Sequence, residues 1–585
     1  MALNAVHSIK AFKQAKSERN NWDNHWQDVA DYVLPTRVFV TKKTKGSERR
    51  GRIYNTTAPE AAVQLAAALE GMLFNTGIRW FELTTEDESV NNLHEVKEWL
   101  YDSTNRMLAY FDNTASRFSL SLHEVALDLV TFGTGVLLVQ ENKGLLKFQA
   151  RDLSGIYLKA SDDGDIVDVF REFSMPAWEC VEVFGADKVS DACRKMAEDP
   201  EKKDKEVNIL HHVYLRLDRD YAKQDSTNKE WGSYYCELDT KHSISEGGFD
   251  ENPYVIVRWS KAAEEVYGRS PAMEVLPTIK VVNAMARTTL EASELAVRPP
   301  VIVGAGTMEG PIRTAPGSIM YVRQGTRDLP QPFNSGARPD FGHELMDREE
   351  IKIQKAFFAD RLSLPEQDRM TATEIIERRQ QGLMVVSPVL ARLYAEWLNP
   401  VIGKTFKWMM DTGRLVDIPE SVDPSQLKIN YISPMAISRR ASITQSFMQA
   451  MSAAQILVQT NPEIMQNLDL DAVFRSLMTQ NNVDPQFLKS EQEVDQWRQQ
   501  QAEQEQQQQQ LAMAQQVLSL VSVIQDLVGS DKNSATSNEV EEIIKAKIND
   551  PIDKLSTEVL DQINESVGAD ATHKFNSFID LVKGK

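Results

Sequence analysis

Cysteine is almost missing from this chain: Cys180, Cys193 and Cys236 are the only three among 585 residues, and no two stand at CxxC spacing. A disulfide framework or a zinc module is therefore not expected, and assembly in a reducing cytosol is the default. Long apolar runs are missing too, since none approaches the roughly 18 residues that a membrane helix needs. The opening MALNAVHSIKAFKQAKSERNNW has no apolar core followed by a small-residue cleavage site, so it does not read as a secretory signal. Positive charge is in deficit, with 85 acidic residues against 65 basic ones and a formal net charge of −20. A protein that grips nucleic acid over much of its surface needs the opposite balance, because a basic footprint neutralises phosphates. An acidic surface can still surround DNA without holding it.

Complete catalytic motifs are also lacking. Gly403-Lys404-Thr405 imitates the end of a phosphate-binding loop, yet Leu398 stands where the upstream glycine is required and the segment lies within or just after a helix. The 304–310 stretch GAGTMEG resembles a dinucleotide fingerprint, but Glu309 replaces the third glycine and Pro311 stands where a helix should open. His343-Glu344 lacks the second histidine of a zinc-protease helix, because Asp347 occupies that position. His211 and His212 fall on an alternating strand pattern, where only one of the two can face a given side. The acidic cluster at 162–168 lacks the spacing and closing glutamate of a calcium loop and reads as a hairpin turn. No cofactor, metal or catalytic constellation survives, so the chain is not expected to be an enzyme.

What is present is length and helical pattern. A chain of 66.1 kDa, 42% hydrophobic and 26% charged, is globular and large enough for several packed regions. Residues 1–130 are mostly helical in pattern, most clearly APEAAVQLAAALEGMLF at 58–74. Short strand-like runs follow at 136–139, 145–150, 156–160, 166–173, 209–217, 234–238 and 254–259, read here as one antiparallel sheet packed on the helices. Ser270-Pro271 is an N-cap followed by proline at the first helical position, although Pro277 could delay the regular part. Ile279, Val282, Ala286, Leu290, Ser293 and Val297 share a face of that helix, and Pro299-Pro300 stops it. A Gly- and Pro-rich module at 301–340 leads to a second helix at about 341–360 and then to the loop RLSLPEQDRM at 361–370.

The strongest signal runs through 370–404, MTATEIIERRQQGLMVVSPVLARLYAEWLNPVIGK. Thr371 as N-cap and Glu374 three residues on make a capping box, with Met370 and Ile375 at the staple positions. Ile375, Ile376, Leu383, Val386, Leu390, Leu393, Tyr394, Trp397, Leu398 and Val401 recur at helical spacing as one broad apolar face. Pro388 and Pro400 each remove a ladder donor, so kinks are expected there. If helical over 371–411, this element is roughly 60 Å long at about 1.5 Å per residue. Further on, twelve of the twenty-one residues at 496–516 are glutamine. Such a tract can be a low-complexity linker, but glutamine is a good helix former and apolar periodicity continues directly after it, so a helix is the reading adopted. Residues 531–538 read as a linker.

The wording of 370–404 resembles the portal (head-to-tail connector) proteins of short-tailed bacteriophages, in which a TATE-type start and a Pro...RL...E.L.P run form the main wing helix. The stretches NTGIRWFELT (75–84), YGRSPAMEVLPTIKVVNAMARTTLEASELAVRPPVIV (267–303), GSIMYVRQG (317–325), AFFAD (356–360) and INYISPMA (429–436) are similar to that family in the same order. The likeness covers about residues 1–500. It implies an α+β, mainly helical subunit that assembles into a closed, dodecameric ring around a channel. The implied regions are wing (1–269), stem helix 1 (270–298), clip (299–340), stem helix 2 (341–360), tunnel loop (361–370), long kinked wing helix and strands (371–440), crown (441–530) and its extension (531–585). Leu364, Pro365, Glu366, Gln367, Asp368 and Arg369 would line the channel constriction. Implied partners are the major capsid protein, the terminase large subunit that supplies ATP hydrolysis, tail adaptor and tail proteins at the clip, and scaffolding or internal ejection proteins at the crown. Double-stranded DNA would pass without sequence preference, and no cofactor or membrane is implied. Twelve copies at −20 each would carry −240. The basic run Lys42, Lys43, Lys45, Arg49, Arg50 and Arg52 reads either as a solvated loop or as a contact with an acidic neighbouring subunit or DNA. A non-enzymatic scaffold or coiled-coil assembly protein is the alternative reading.

Overall fold

The computed structural model describes residues 4–40, 53–74, 79–91, 93–219, 223, 225–302, 331–332, 339–359, 388–423, 426–432, 449, 452, 469–480, 487–489, 493–509 and 512. The chain divides into two compact units, Met1–Pro485 and Gln486–Lys585. In the second, residues 493–509 are helical with most side chains exposed, so the glutamine-rich tract is helix over that span.

In the first unit, α1 (Ala5–Tyr32) starts where the Asn4 side chain accepts from the Val6 amide. α2 (Thr57–Leu73) buries Ala58, Ala61, Ala62, Leu65, Ala66 and Leu69, a small-residue stripe that allows close helix packing. After β1 (Phe81–Thr85) come α3 (Glu88–Asn91), α4 (His94–Asp112) and α5 (Phe118–Phe132). The expectation of a mostly helical first 130 residues is borne out. α5 ends at Gly133, whose φ of +77° is favoured only for glycine. A Cβ there would stand 2.3 Å from the Gly268 carbonyl oxygen, so this pair of glycines lets two backbones meet just ahead of the next long helix.

The strands correct the single-sheet expectation. β2 (Thr134–Asn142), β3 (Leu145–Ala150) and β9 (Tyr254–Arg258) form one antiparallel sheet in the order β3-β2-β9. β4 (Ile156–Ala160), β5 (Ile166–Pro176), β6 (Glu206–Leu215), β7 (Trp231–Glu237) and β8 (Ser243–Phe249) form a second. Two features separate them. β2 is buried on both faces over its first six residues, and both its edges are taken, by β3 and by the distant β9. A 3-10 turn at Leu153–Gly155, capped by Asp152, then starts a fresh ladder. β8, with two glycines and one aliphatic residue before its final Phe249, carries little strand signal. The helices α6 (Ala177–Phe184) and α7 (Asp191–Glu198) are inserted between β5 and β6.

Alternation gives each face of the five-stranded sheet its own core. Tyr157, Phe170, Leu210, Tyr234 and Cys236 pack against Ala5, Ile9, Phe12 and Ala15 of α1. Val207, Ile209 and Ile244 pack with Ala177, Cys180, Val189 and Cys193 around α6 and α7. The main core joins α1, α2, α4, α5 and the three-stranded sheet to the helices that follow.

α8 (Pro271–Val297) begins at Ser270, whose hydroxyl accepts from the Met273 amide at 3.1 Å. Pro277 does not delay it: the cap is anchored by a bond from its Oγ to the Thr131 carbonyl, and the Pro277 ring is exposed. Past Arg298, β10 (Val301–Ile302) pairs with β11 (Gln331–Pro332), and α9 (Pro339–Ala356) returns alongside α8. A helical stretch from 388 passes through a π turn, Tyr394–Leu398, into α10 (Asn399–Asp411). β12 (Leu427–Tyr431) pairs with β1, bringing together 81–84 and 429–431, which belong to two of the family-like stretches. α11 (Leu470–Gln480) follows.

Candidate channel and assembly site

The α8–α9 pair is the element on which a channel reading depends. Its helices approach closely at Gly342, where a Cβ would stand 2.5 Å from Thr289 Oγ1. Its base is clamped to the rest of the unit: Lys280 Nζ reaches Asp28 at 2.8 Å, Asn283 Oδ1 accepts from the Tyr54 amide at 2.7 Å, and Asn55 donates to Glu350 at 2.7 Å. At its far end the β10–β11 ladder pins both ends of the 303–330 segment, which lies outside the described residues together with the fingerprint-like 304–310.

The apolar stripe of α8 outruns its core. Ile279 and Val282 are buried, whereas Leu290 is 53% and Val297 is 79% exposed. Leu295, Phe341 and Ile351 are exposed on the same pair, as is Ile302 in β10. A helical hairpin that presents apolar side chains at several places is suited to cover them against another chain. Its charges are balanced or acidic: α8 with its cap residue Arg298 has three carboxylates and three cations, and α9 has five carboxylates against three cations. His343 and Glu344 sit exposed on α9, Glu344 engaged by Arg348, as a solvated helix face.

The helix after 388 is braced rather than free. Leu393, Trp397, Leu398 and Val401 are buried as the apolar face predicts, with Trp397 against Phe74 at 5.1 Å. Ile375, Ile376, Leu383 and Val386 lie outside the described residues. At Pro400 the expected interruption takes a specific form. Proline has no N–H to close the preceding turn, and the Asn399 amide bonds Tyr394 oxygen, five residues back, which widens that turn. Within the widened turn Glu396 faces Arg258 of β9: guanidinium Nη2 is 2.8 Å from Oε1, Nε donates to both oxygens, and the Arg258 amide donates to Oε2 at 2.9 Å. Sequence reading missed this brace, although an isolated carboxylate between Tyr394 and Trp397 on an apolar face was a signal for it.

The remaining candidates fall as follows. The tunnel-loop residues Leu364, Pro365, Glu366, Gln367, Asp368 and Arg369, and the cap residues Thr371 and Glu374, lie outside the described residues. So do the basic residues Lys42, Lys43, Lys45, Arg49, Arg50 and Arg52. The chain enters that basic segment after Val40, whose amide, like that of Phe39, donates to Gln27 Oε1, and leaves it at Tyr54 on α8. Pro388 is helical and exposed; the residues before it, which would show a kink, are outside the described set. Lys404 is ion-paired with Glu251 at 2.9 Å and Thr405 bonds the Val401 carbonyl inside α10, which leaves no phosphate loop there. His211 and His212 point to opposite faces: His211 bonds Tyr254 and Ser233, His212 meets Ser8 and Asp168. Of the 162–168 cluster, Asp162, Asp163 and Asp165 form the β4–β5 turn, closed by Gly164 at φ +86°, and Asp168 lies in β5.

Among known proteins, the family model described as bacteriophage head to tail connecting protein matches residues 6–488. The chain is 28% identical to the "Probable portal protein" of Bordetella phage BPP-1 over 90% of its own length and 96% of that protein. It is 27% identical to the "Portal protein" of Salmonella phage epsilon15 over 90% of its length and 97% of that protein. The "Portal protein" of Enterobacteria phage T3 is 20% identical over 71% of this chain and 76% of its own. The order of family-like stretches agrees with the family model's match from near the first residue to beyond α11: the chain belongs to the bacteriophage head-to-tail connecting protein family.

Proposed function

We propose that this chain is the repeating subunit of a closed portal ring, by family likeness a dodecamer, at one vertex of a phage capsid. DNA enters and leaves through its channel, and its ends dock packaging and tail proteins. The observation that carries the reading is the family match across 6–488, supported by the portal proteins that align along nearly their whole length. In this reading α8 and α9 supply the stem, 299–340 is the protruding clip that meets the terminase and then the tail adaptor, and 361–370 converges on the axis as the tunnel loop. The crown would occupy 441–585 and face the capsid interior, toward scaffolding or ejection proteins.

The mechanism is mechanical and electrostatic. Heterologous contacts repeated around an axis close a ring, and the exposed apolar residues of the stem hairpin supply surface for them. A subunit of −20 charge repels the duplex, which keeps it mobile in the channel. Translocation energy then comes from the ATP-hydrolysing partner. Loop residues 364–369 would touch passing DNA weakly and without sequence preference. The test is a pair of deletions in assembled rings. Removing 304–331 is expected to preserve assembly and abolish adaptor and terminase binding, and shortening 361–370 by several residues is expected to preserve assembly and impair packaging or retention of DNA. Full packaging by both deletion rings would refute the assignment.

A further inference from the structure

The two sheets meet at a cluster that the portal reading does not use. Across the five-stranded sheet the register sets Arg171 of β5 beside His211 of β6, and His211 beside Tyr235 of β7, all on one face. That face meets Tyr254 of β9 and Arg151, the residue after β3. The Tyr254 hydroxyl lies 2.8 Å from His211 Nδ1, with the positive charges of Arg171 and Arg151 close enough to act on it. His211 Nε2 contacts Ser233 Oγ at 3.0 Å. Burial, then the nearby charge of Arg171, drives the imidazole pKa well below the ordinary value and favours the neutral ring.

The two arginines, both half-buried, lack what such cations ordinarily have. Neither forms an ion pair with a carboxylate among the described residues, although nearly every other partly buried arginine here does, such as Arg19 with Asp23 and Arg37 with Asp128. Arg151 Nε is buried with no hydrogen-bond acceptor, and one of its terminal nitrogens is taken by Gln149. Arg171 lies over the Phe173 ring at 4.2 Å, which orders the guanidinium without neutralising it. Burial, then the charge of Arg171, pushes Arg151 down to about 10. A guanidinium with an unused buried N–H, a second cation near enough to act on it and no carboxylate partner is costly in isolation. A bound oxyanion removes that cost, because the guanidinium fork presents several N–H donors to phosphate or carboxylate geometry.

We propose that Arg151 and Arg171 form a binding site for one oxyanion, a phosphate-type ion or a carboxylate, between the two sheets. The anion has two sources, a free ion from solution or a carboxylate of a second copy of this chain. The second source rests on the ring reading above, and the excess of 85 acidic over 65 basic residues makes such carboxylates plentiful.

The test is calorimetric titration of inorganic phosphate at constant ionic strength into the full chain, both assembled and dissociated, for wild type and Arg151→Gln/Arg171→Gln. The expected result is one site per chain in wild type and at least about tenfold weaker binding in the double variant, as loss of a charge-assisted contact implies. Binding by the assembled form identifies a free ion as occupant; binding by the dissociated form alone identifies a neighbouring copy's carboxylate. If neither wild-type form binds phosphate at least tenfold more tightly than the variant, the proposal is wrong. Where the double variant does not fold, Arg171→Lys, which keeps charge and loses the fork, gives the same comparison. A wild type that yields no assembled form overturns the ring reading while leaving the phosphate comparison intact.

Discussion

A histidine buried among cations resists a second proton, because the charged ring loses its hydration and meets like charge. His211 is in that position, and His212, lowered by burial though partly offset by Asp168, is a weaker case. Below the ordinary histidine value of 6.5 the unfolded chain takes up the protons that folded His211 refuses, so stability falls as pH falls and levels off above about 6.5. Lowering the pH from 7 to 5 is expected to reduce Tm more in wild type than in His211→Gln, and equal reductions would contradict this assignment. At Glu396, removing the charge strands Arg258, whose side chain is 9% exposed. Glu396→Gln is expected to cost about 3–5 kcal/mol, whereas Arg258→Met with Glu396→Leu costs much less, because the penalty comes from an unpaired buried charge. Denaturant titration of the three proteins distinguishes these outcomes. Sequence alternation was enough to place His211 and His212 on opposite faces, but it did not reveal what each would meet. Their partners come from residues 22 to 204 positions away.

At the scale of elements, the local signals with a stereochemical cause were the dependable ones. Ser270-Pro271 starts α8, and the helix ends at Val297 ahead of Pro299-Pro300, where they predicted. The break at Pro400 was legible as a kink; its form as a π turn was not, because that depends on where Glu396 finds Arg258. The division into two sheets was hidden for a related reason. A strand run shows that it is a strand, whereas β2 pairing with β9 joins residues more than a hundred positions apart. The closeness of α8 and α9 gives an element-scale prediction. Gly342→Ala places a methyl against the stiff side chain of Thr289 and is expected to cost about 1–3 kcal/mol, the usual range for overpacking. Thr289→Ala should restore most of that loss when combined with it, so the double-mutant coupling energy is the measurement. Strict additivity of the two substitutions would show that the helices do not meet at this point.

The whole molecule was legible in outline and silent in assembly. Charge, the near absence of cysteine and the lack of an intact catalytic motif narrowed the class, and the ordered family-like stretches named it. The proposed ring would draw on surface that the single chain leaves exposed: the apolar stripe of α8 leaves its own core after Val282, and Leu290, Val297, Phe341 and Ile351 are exposed. Their exposure is explained if each subunit buries them against its neighbour, at a contact that mild salt would weaken only where it is ionic. The central claim is therefore about stoichiometry and closure. The mass of the purified assembly, measured by native mass spectrometry and paired with negative-stain images, tests it most directly. The account predicts one closed particle with a central hole, near twelve times 66.1 kDa, about 790 kDa. A monomer at high concentration, or an open filament of indefinite mass, would contradict it.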